Sequence, residues 1–288
     1  MKQSPQKRPG SDTRMPVSGI GDVTRIRFVP QTTTGENVRR EFTQPRRMLA
    51  IEAPASLASS TPDPSLPEYF EGFYILHAPL FLSSEMQKAA DLWLSAPDDP
   101  NALRPVIVRL ESATIHWRPG RAIVQCADTT RGNILAALIE FAFFESELRR
   151  LECSLLPYEA SALADAALAY RIGQTSRPEW DRLGQTMESL SVMRLAFVVT
   201  EPHLAIASRS LDPEGRRLVA RLIARSGMPA RLASFSTRLE ACEDLYEGAV
   251  DRITDFRVYH TGFVLETIIV ILLAVEVIAM AITIFVRH

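Results

Sequence analysis

The chain has 288 residues and carries 32 Lys and Arg against 34 Asp and Glu, a net charge of −2 that gives no global reason to expect nucleic acid as its main partner. Three widely spaced cysteines, Cys126, Cys153 and Cys242, form no CxxC pair, which argues against a disulfide framework and a cysteine zinc site and fits a reducing compartment. No apolar run follows the first residues, so a cleaved secretory signal is not expected.

The charge is uneven. Residues 1–47 are basic and rich in Pro, Ser, Thr and Gly, and such a segment buries too little apolar surface to offset its ordering entropy. A disordered arm is therefore expected there. It could meet RNA, a ribosome or anionic head groups through counterion release, and its Arg-bearing, acid-poor start keeps a mitochondrial presequence as the alternative.

The folded α+β body is expected over 48–229. It opens on a small β-rich part with apolar runs at Met48 to Ala53, Gly72 to Leu82 and Pro105 to Leu110, interrupted by a Pro and Ser-rich loop from Pro54 to Pro67. Ala113 to Cys126 reads as a β-hairpin turning at Pro119-Gly120. His77 and His116 read as sheet residues, and the Trp117 to Arg121 tip as a solubilised turn.

The period then changes. Ile134, Leu135, Leu138, Phe141, Phe144, Leu148 and Leu151 recur at helical spacing. Helices are expected near Arg131 to Cys153, Glu159 to Arg171, Glu179 to Val199 and Pro213 to Arg225, broken at Pro157, Gly173 to Pro178, Pro202 and Gly227 to Pro229.

A long stalk helix is expected over 230–262. Leu232, Leu239, Tyr246 and Ile253 share one heptad position, and Phe235, Cys242, Ala249 and Phe256 follow each by three. The stripe suits either a coiled coil or a helix packed lengthwise on the body, and His260 and Gly248 favour the second.

Residues 263–285 are dominated by Ile, Val, Leu, Ala and Phe. At about 1.5 Å per residue they are long enough for a transmembrane helix. The expectation is a tail-anchored, single-pass protein in contact with membrane lipid. Its body would be cytoplasmic at a bacterial inner membrane or, alternatively, matrix-facing at a mitochondrial inner membrane. Glu266 near the start and Glu276 near the middle interrupt the run, and Glu276 is the residue expected to face another helix, in a homo-oligomer or a membrane-complex partner.

No Walker loop, HExxH or GxSxG occurs, so no catalytic, cofactor or metal residues are assigned and an enzyme is not expected. The competing enzyme reading needs groups such as Glu145, His116 or Arg194 to converge in the fold.

The string from Val264 to Val277, with Leu265-Glu266, an apolar run and Glu276, resembles the closing signature of the Rmd/YagE family. Looser similarity extends through Ala137 to Glu145, Gly184, Arg194 and Arg238-Leu239. Ile139-Glu140 stands where that family has Gln-Ser, and a Trp expected after Pro202 is missing. The resemblance implies a non-enzymatic, oligomeric membrane scaffold or tether, linked in mitochondrial members to support of translation, with Leu265, Glu266 and Glu276 as its matching positions.

Overall fold

The computed structural model of the protein describes residues 20–32, 37–54, 72–95, 105–165 and 177–287, with the side chains of 54, 163–164, 177–180, 253, 255–258, 260, 277 and 279–287 left out of the description. The chain divides into two units: residues 1–150 with 197–232, and residues 151–196 with 233–288.

The first unit is built on a seven-stranded mixed sheet. Its strands are β1 (Asp22–Pro30), β2 (Val38–Phe42), β3 (Met48–Pro54), β4 (Gly72–Ala78), β5 (Val106–Arg109), β6 (Ala113–Arg118) and β7 (Arg121–Cys126), in the spatial order β2-β3-β1-β4-β7-β6-β5. All pairs are antiparallel except β4 with β7. β6 and β7 form the expected hairpin, with Gly120 at φ 81° in its turn, a conformation open to glycine.

Alternation along β4 explains why the sheet is covered on both faces. Phe73 points to the side of helix α2 (Asp128–Asp165), where Phe28, Phe42, Phe143, Trp117 and Phe141 form a continuous chain of ring contacts 3.9–6.3 Å apart. Tyr74, Leu76 and Ala78 point to the opposite face and pack with Ala90, Trp93 and Leu94 of helix α1 (Ser84–Leu94). Ser83 caps α1 by accepting from the Met86 amide at 3.3 Å.

The sheet edge at β5 is closed by side chains. Helix α4 (Pro213–Arg225), capped by Asp212, projects Arg221 and Arg225 from successive turns, and their guanidiniums donate to the carbonyls of Arg109 and Ile107. Helix α3 (Arg177–Ala205) and helix α5 (Met228–Arg287) complete the chain, which is α+β.

Four expectations are corrected. The basic arm expected to be disordered up to Arg47 contains β1 and β2, because Val23, Ile26 and Phe28 of β1 are buried between β3 and β4 and supply the apolar surface that composition alone did not credit. The break expected at Pro157 does not occur, and α2 runs through it. α3 likewise runs through Pro202. An interior proline costs about 3 kcal/mol, which burial of flanking residues such as Leu155 and Leu204 offsets.

The expected transmembrane helix is the fourth. Among the described residues no helix is long and apolar enough to cross a membrane. The run with described side chains from Phe263 to Glu276 covers only about 20 Å of axis against a hydrocarbon core near 30 Å. The side chains of 277 and 279–287, on which the rest of the span relied, lie outside the described residues. The tail-anchored, single-pass topology and both inner-membrane placements fall with the span.

Gly21 fixes how β1 enters the sheet. A Cβ there would stand 1.8 Å from the carbonyl oxygen of His77, so only glycine allows this approach. Gly21→Ala is expected to lower stability by about 1–3 kcal/mol in urea unfolding monitored by circular dichroism. A midpoint equal to wild type would contradict this packing.

Candidate functional site

In the first unit, chain direction gathers several chemically active groups at one end of the sheet. β4 and β7 are parallel and finish together, while antiparallel β1 begins there, with Asp22 opposite His77. The chain leaves β7 at Cys126 and enters α2 within two residues. Gly21, Asp22, His77, Pro79, Leu80, Val124, Cys126, Asp128 and Arg131 consequently surround a cavity of about 360 Å³. In open parallel α/β sheets, ligands commonly bind outside the carboxyl ends of the strands, and β4 and β7 are the parallel pair here.

His77 is the best-defined group in that crevice. Its Nε2 lies 3.0 Å from the Thr24 hydroxyl, and its buried Nδ1 has no partner among the described residues. Burial, reinforced by the positive charge of Arg131, lowers its pKa to about 4, so the ring is neutral at pH 7. Burial also pushes the Cys126 thiol up, against the opposing effects of the Thr130 hydroxyl and Arg131, which disfavours a thiolate nucleophile.

The groups named for a convergent enzyme site are each engaged elsewhere. Glu145 is buried and receives Arg149 at 2.6 Å and Arg231 at 3.0 Å. His116 lies 3.7 Å from Asp91, and burial lowers its pKa. Arg194 belongs to the second unit, where its guanidinium holds Glu243. Among the described residues no group of three or more His, Cys, Asp or Glu could hold a metal ion.

In the second unit, the stripe on α5 is a core face. Phe235, Leu239, Cys242, Tyr246 and Ala249 are all buried, and Leu232, which falls in the first unit, is buried too. The side chains of Ile253 and Phe256 lie outside the described residues. A polar network accompanies the stripe: Asp165 accepts from the Tyr246 hydroxyl at 2.8 Å and from both terminal nitrogens of Arg182 at 2.7 and 3.0 Å. Burial would raise the Asp165 pKa, but these donors outweigh it and hold the carboxyl below its usual range. Arg238 forms a two-pronged pair with Glu159, at 2.5 and 2.6 Å.

Further along, α5 is apolar and uncovered. Phe263 is 68% exposed, Leu265 62%, Leu272 62% and Val275 58%, and Ile268 to Leu273 are exposed in unbroken succession. Glu266 and Glu276 are exposed near the two ends of this stretch. Sequence reasoning singled out these positions, but it passed over the crevice, whose groups come from three separate segments. The short Ala127 link between a β-rich run and a helix carrying Asp128 and Arg131 was the signal available.

No family model matches the chain, and no curated protein matches it. The solved structures similar to it include the following two. The full-length CmaX protein shares 11% identity over 86% of this chain and 82% of its own, with a TM-score of 0.34. The ZntB cytoplasmic domain from Vibrio parahaemolyticus shares 9% over 86% of this chain and all of its own, with a TM-score of 0.27.

Two changes probe these arrangements. For Glu145, burial alone would raise the pKa, and Arg149 and Arg231 together hold it below the ordinary 4.5. Its contribution to stability is complete above that range and is lost as pH falls through the depressed folded value. Glu145→Gln is expected to lose about 3–5 kcal/mol at pH 7 and to show a shallower fall in stability below pH about 4.5. Tyr246→Phe, which removes one donor to Asp165, is expected to cost about 1.5–3 kcal/mol in thermal unfolding.

Proposed function

We propose that the protein is a non-catalytic scaffold that assembles with copies of itself through the apolar segment of α5. The observation that carries this reading is the exposed run from Phe263 to Val275, in which Glu266 is the one charged residue. Its exposed side chains amount to on the order of 1,000 Å² of apolar surface, more than the roughly 800 Å² each partner contributes to a standard interface. A monomer leaves such a patch in water at a large free-energy cost, and each buried Leu, Ile or Val contributes about 1.5–3 kcal/mol.

A second copy is the favoured occupant because a helix with so wide an apolar surface can be covered by several parallel or antiparallel neighbours of the same kind. The two glutamates limit how these helices register, since an unpaired carboxylate resists burial. The sequence resemblance of Val264 to Val277 to the Rmd/YagE closing signature implies the same scaffold role.

Sedimentation velocity on the purified full chain is expected to give an oligomer at micromolar concentration. Ile269→Glu combined with Leu272→Glu is expected to give a folded monomer with unchanged far-ultraviolet circular dichroism. A wild-type monomer would sink the reading, as would uptake by phosphatidylcholine vesicles without any self-association.

A further inference from the structure

The crevice at the end of β4 and β7 carries a second inference, independent of assembly through α5. Its wall mixes one cation, Arg131, with two carboxylates, Asp22 and Asp128. A simple anion placed there would face both carboxylates, and a simple cation would face the guanidinium. Neither charge type satisfies the whole wall. A zwitterion does, provided that its two charges are close enough together to fit a single small cavity.

The remaining lining narrows the ligand. Pro79, Leu80 and Val124 form an apolar side, and Leu80 is half-exposed with room for an apolar partner. His77 lines the wall as a neutral ring, and its buried Nδ1 has no hydrogen-bond partner among the described residues. The volume of about 360 Å³ lies within the range of about 300–1,000 Å³ usual for small-molecule sites.

We propose that this crevice binds a free α-amino acid with an apolar side chain, its carboxylate on Arg131, its ammonium toward Asp22 and Asp128, and its side chain against Pro79, Leu80 and Val124. Arg131 presents a planar fork suited to a carboxylate. Gly21 permits the close approach of β1 to β4 that brings Asp22 beside His77. The site is one of binding, with no bond made or broken.

The test is titration calorimetry on the full chain with L-leucine, leucinamide, which lacks the carboxylate, and N-acetyl-leucine, which lacks the ammonium. Leucine is expected to bind, with both analogues weaker by about tenfold or more. Arg131→Met is expected to bind leucine and leucinamide alike, because the group that distinguishes them has gone. Asp22→Asn combined with Asp128→Asn is expected to erase the difference between leucine and N-acetyl-leucine.

A second readout is independent of heat. Leucine placed between Arg131 and Asp22 changes both the field and the solvation at His77, so the imidazole titration followed by NMR should shift from about 4 when leucine is added. Equal affinity for all three compounds in the wild type would overturn the proposal. So would the absence of both heat and an imidazole shift with leucine in a protein that circular dichroism shows to be folded.

Discussion

Three carboxylates on the first half of α2 set the terms for the first unit. Glu140, Glu145 and Glu147 are almost fully buried, and an unpaired buried charge is among the most costly features a fold can contain. Each is matched by arginine: Glu140 by Arg40 of β2, Glu147 by Arg46 and Arg150, and Glu145 by Arg149 and Arg231. Arg149 and Arg150 lie on the helix itself, whereas Arg40, Arg46 and Arg231 reach it from segments distant in sequence and tie those segments to it. Burial still holds the Glu140 pKa above its ordinary value despite Arg40, while the two arginines at Glu145 prevail over burial. The difference is one cation against two.

Around those pairs the aromatic contacts give shape. Phe42 stacks on Phe143 at 3.9 Å, and His203 stacks on Phe144 at the same distance, nearly parallel at 4°. Burial and the nearby Arg40 lower the His203 pKa, so this ring sits against Phe144 as a neutral flat surface. Arg40 takes part in both systems, bonding Ser210 at 2.9 Å and lying 5.8 Å from the Phe42 ring centroid. β2 is an edge strand with few buried side chains of its own, and these contacts supply much of what fixes it. The opposite edge is held differently, by two arginines of α4 on the backbone carbonyls of β5.

The second unit rests on a simpler device. The buried stripe of α5 is continuous from Phe235 to Ala249, and the Asp165, Arg182 and Tyr246 network gives it a fixed register, because the Tyr246 hydroxyl reaches Asp165 only in one alignment. Beyond it the same helix becomes predominantly apolar and exposed. One element therefore contains a face buried within the chain and a stretch whose apolar side chains are exposed. That contrast supports the assembly reading.

The sequence alone determined what local chemistry controls. The Pro-Gly turn set the β6–β7 hairpin, Asp212 with Pro213 set the start of α4, and heptad spacing marked the positions on α5 that are buried up to Ala249. Tertiary structure decided the rest. β1 and β2 lie in a stretch whose composition is that of a disordered arm, and their ordering comes from neighbours that are separated from them in sequence. Pro157 ends a helix by local rules, yet α2 continues because the packing on either side outweighs one lost hydrogen bond. The pairing of buried glutamates with distant arginines and the meeting of Asp22, His77 and Arg131 at one crevice have no local signal. Periodicity reports which face a residue takes, whereas these features depend on which strand ends lie side by side, and that is fixed only when the sheet closes.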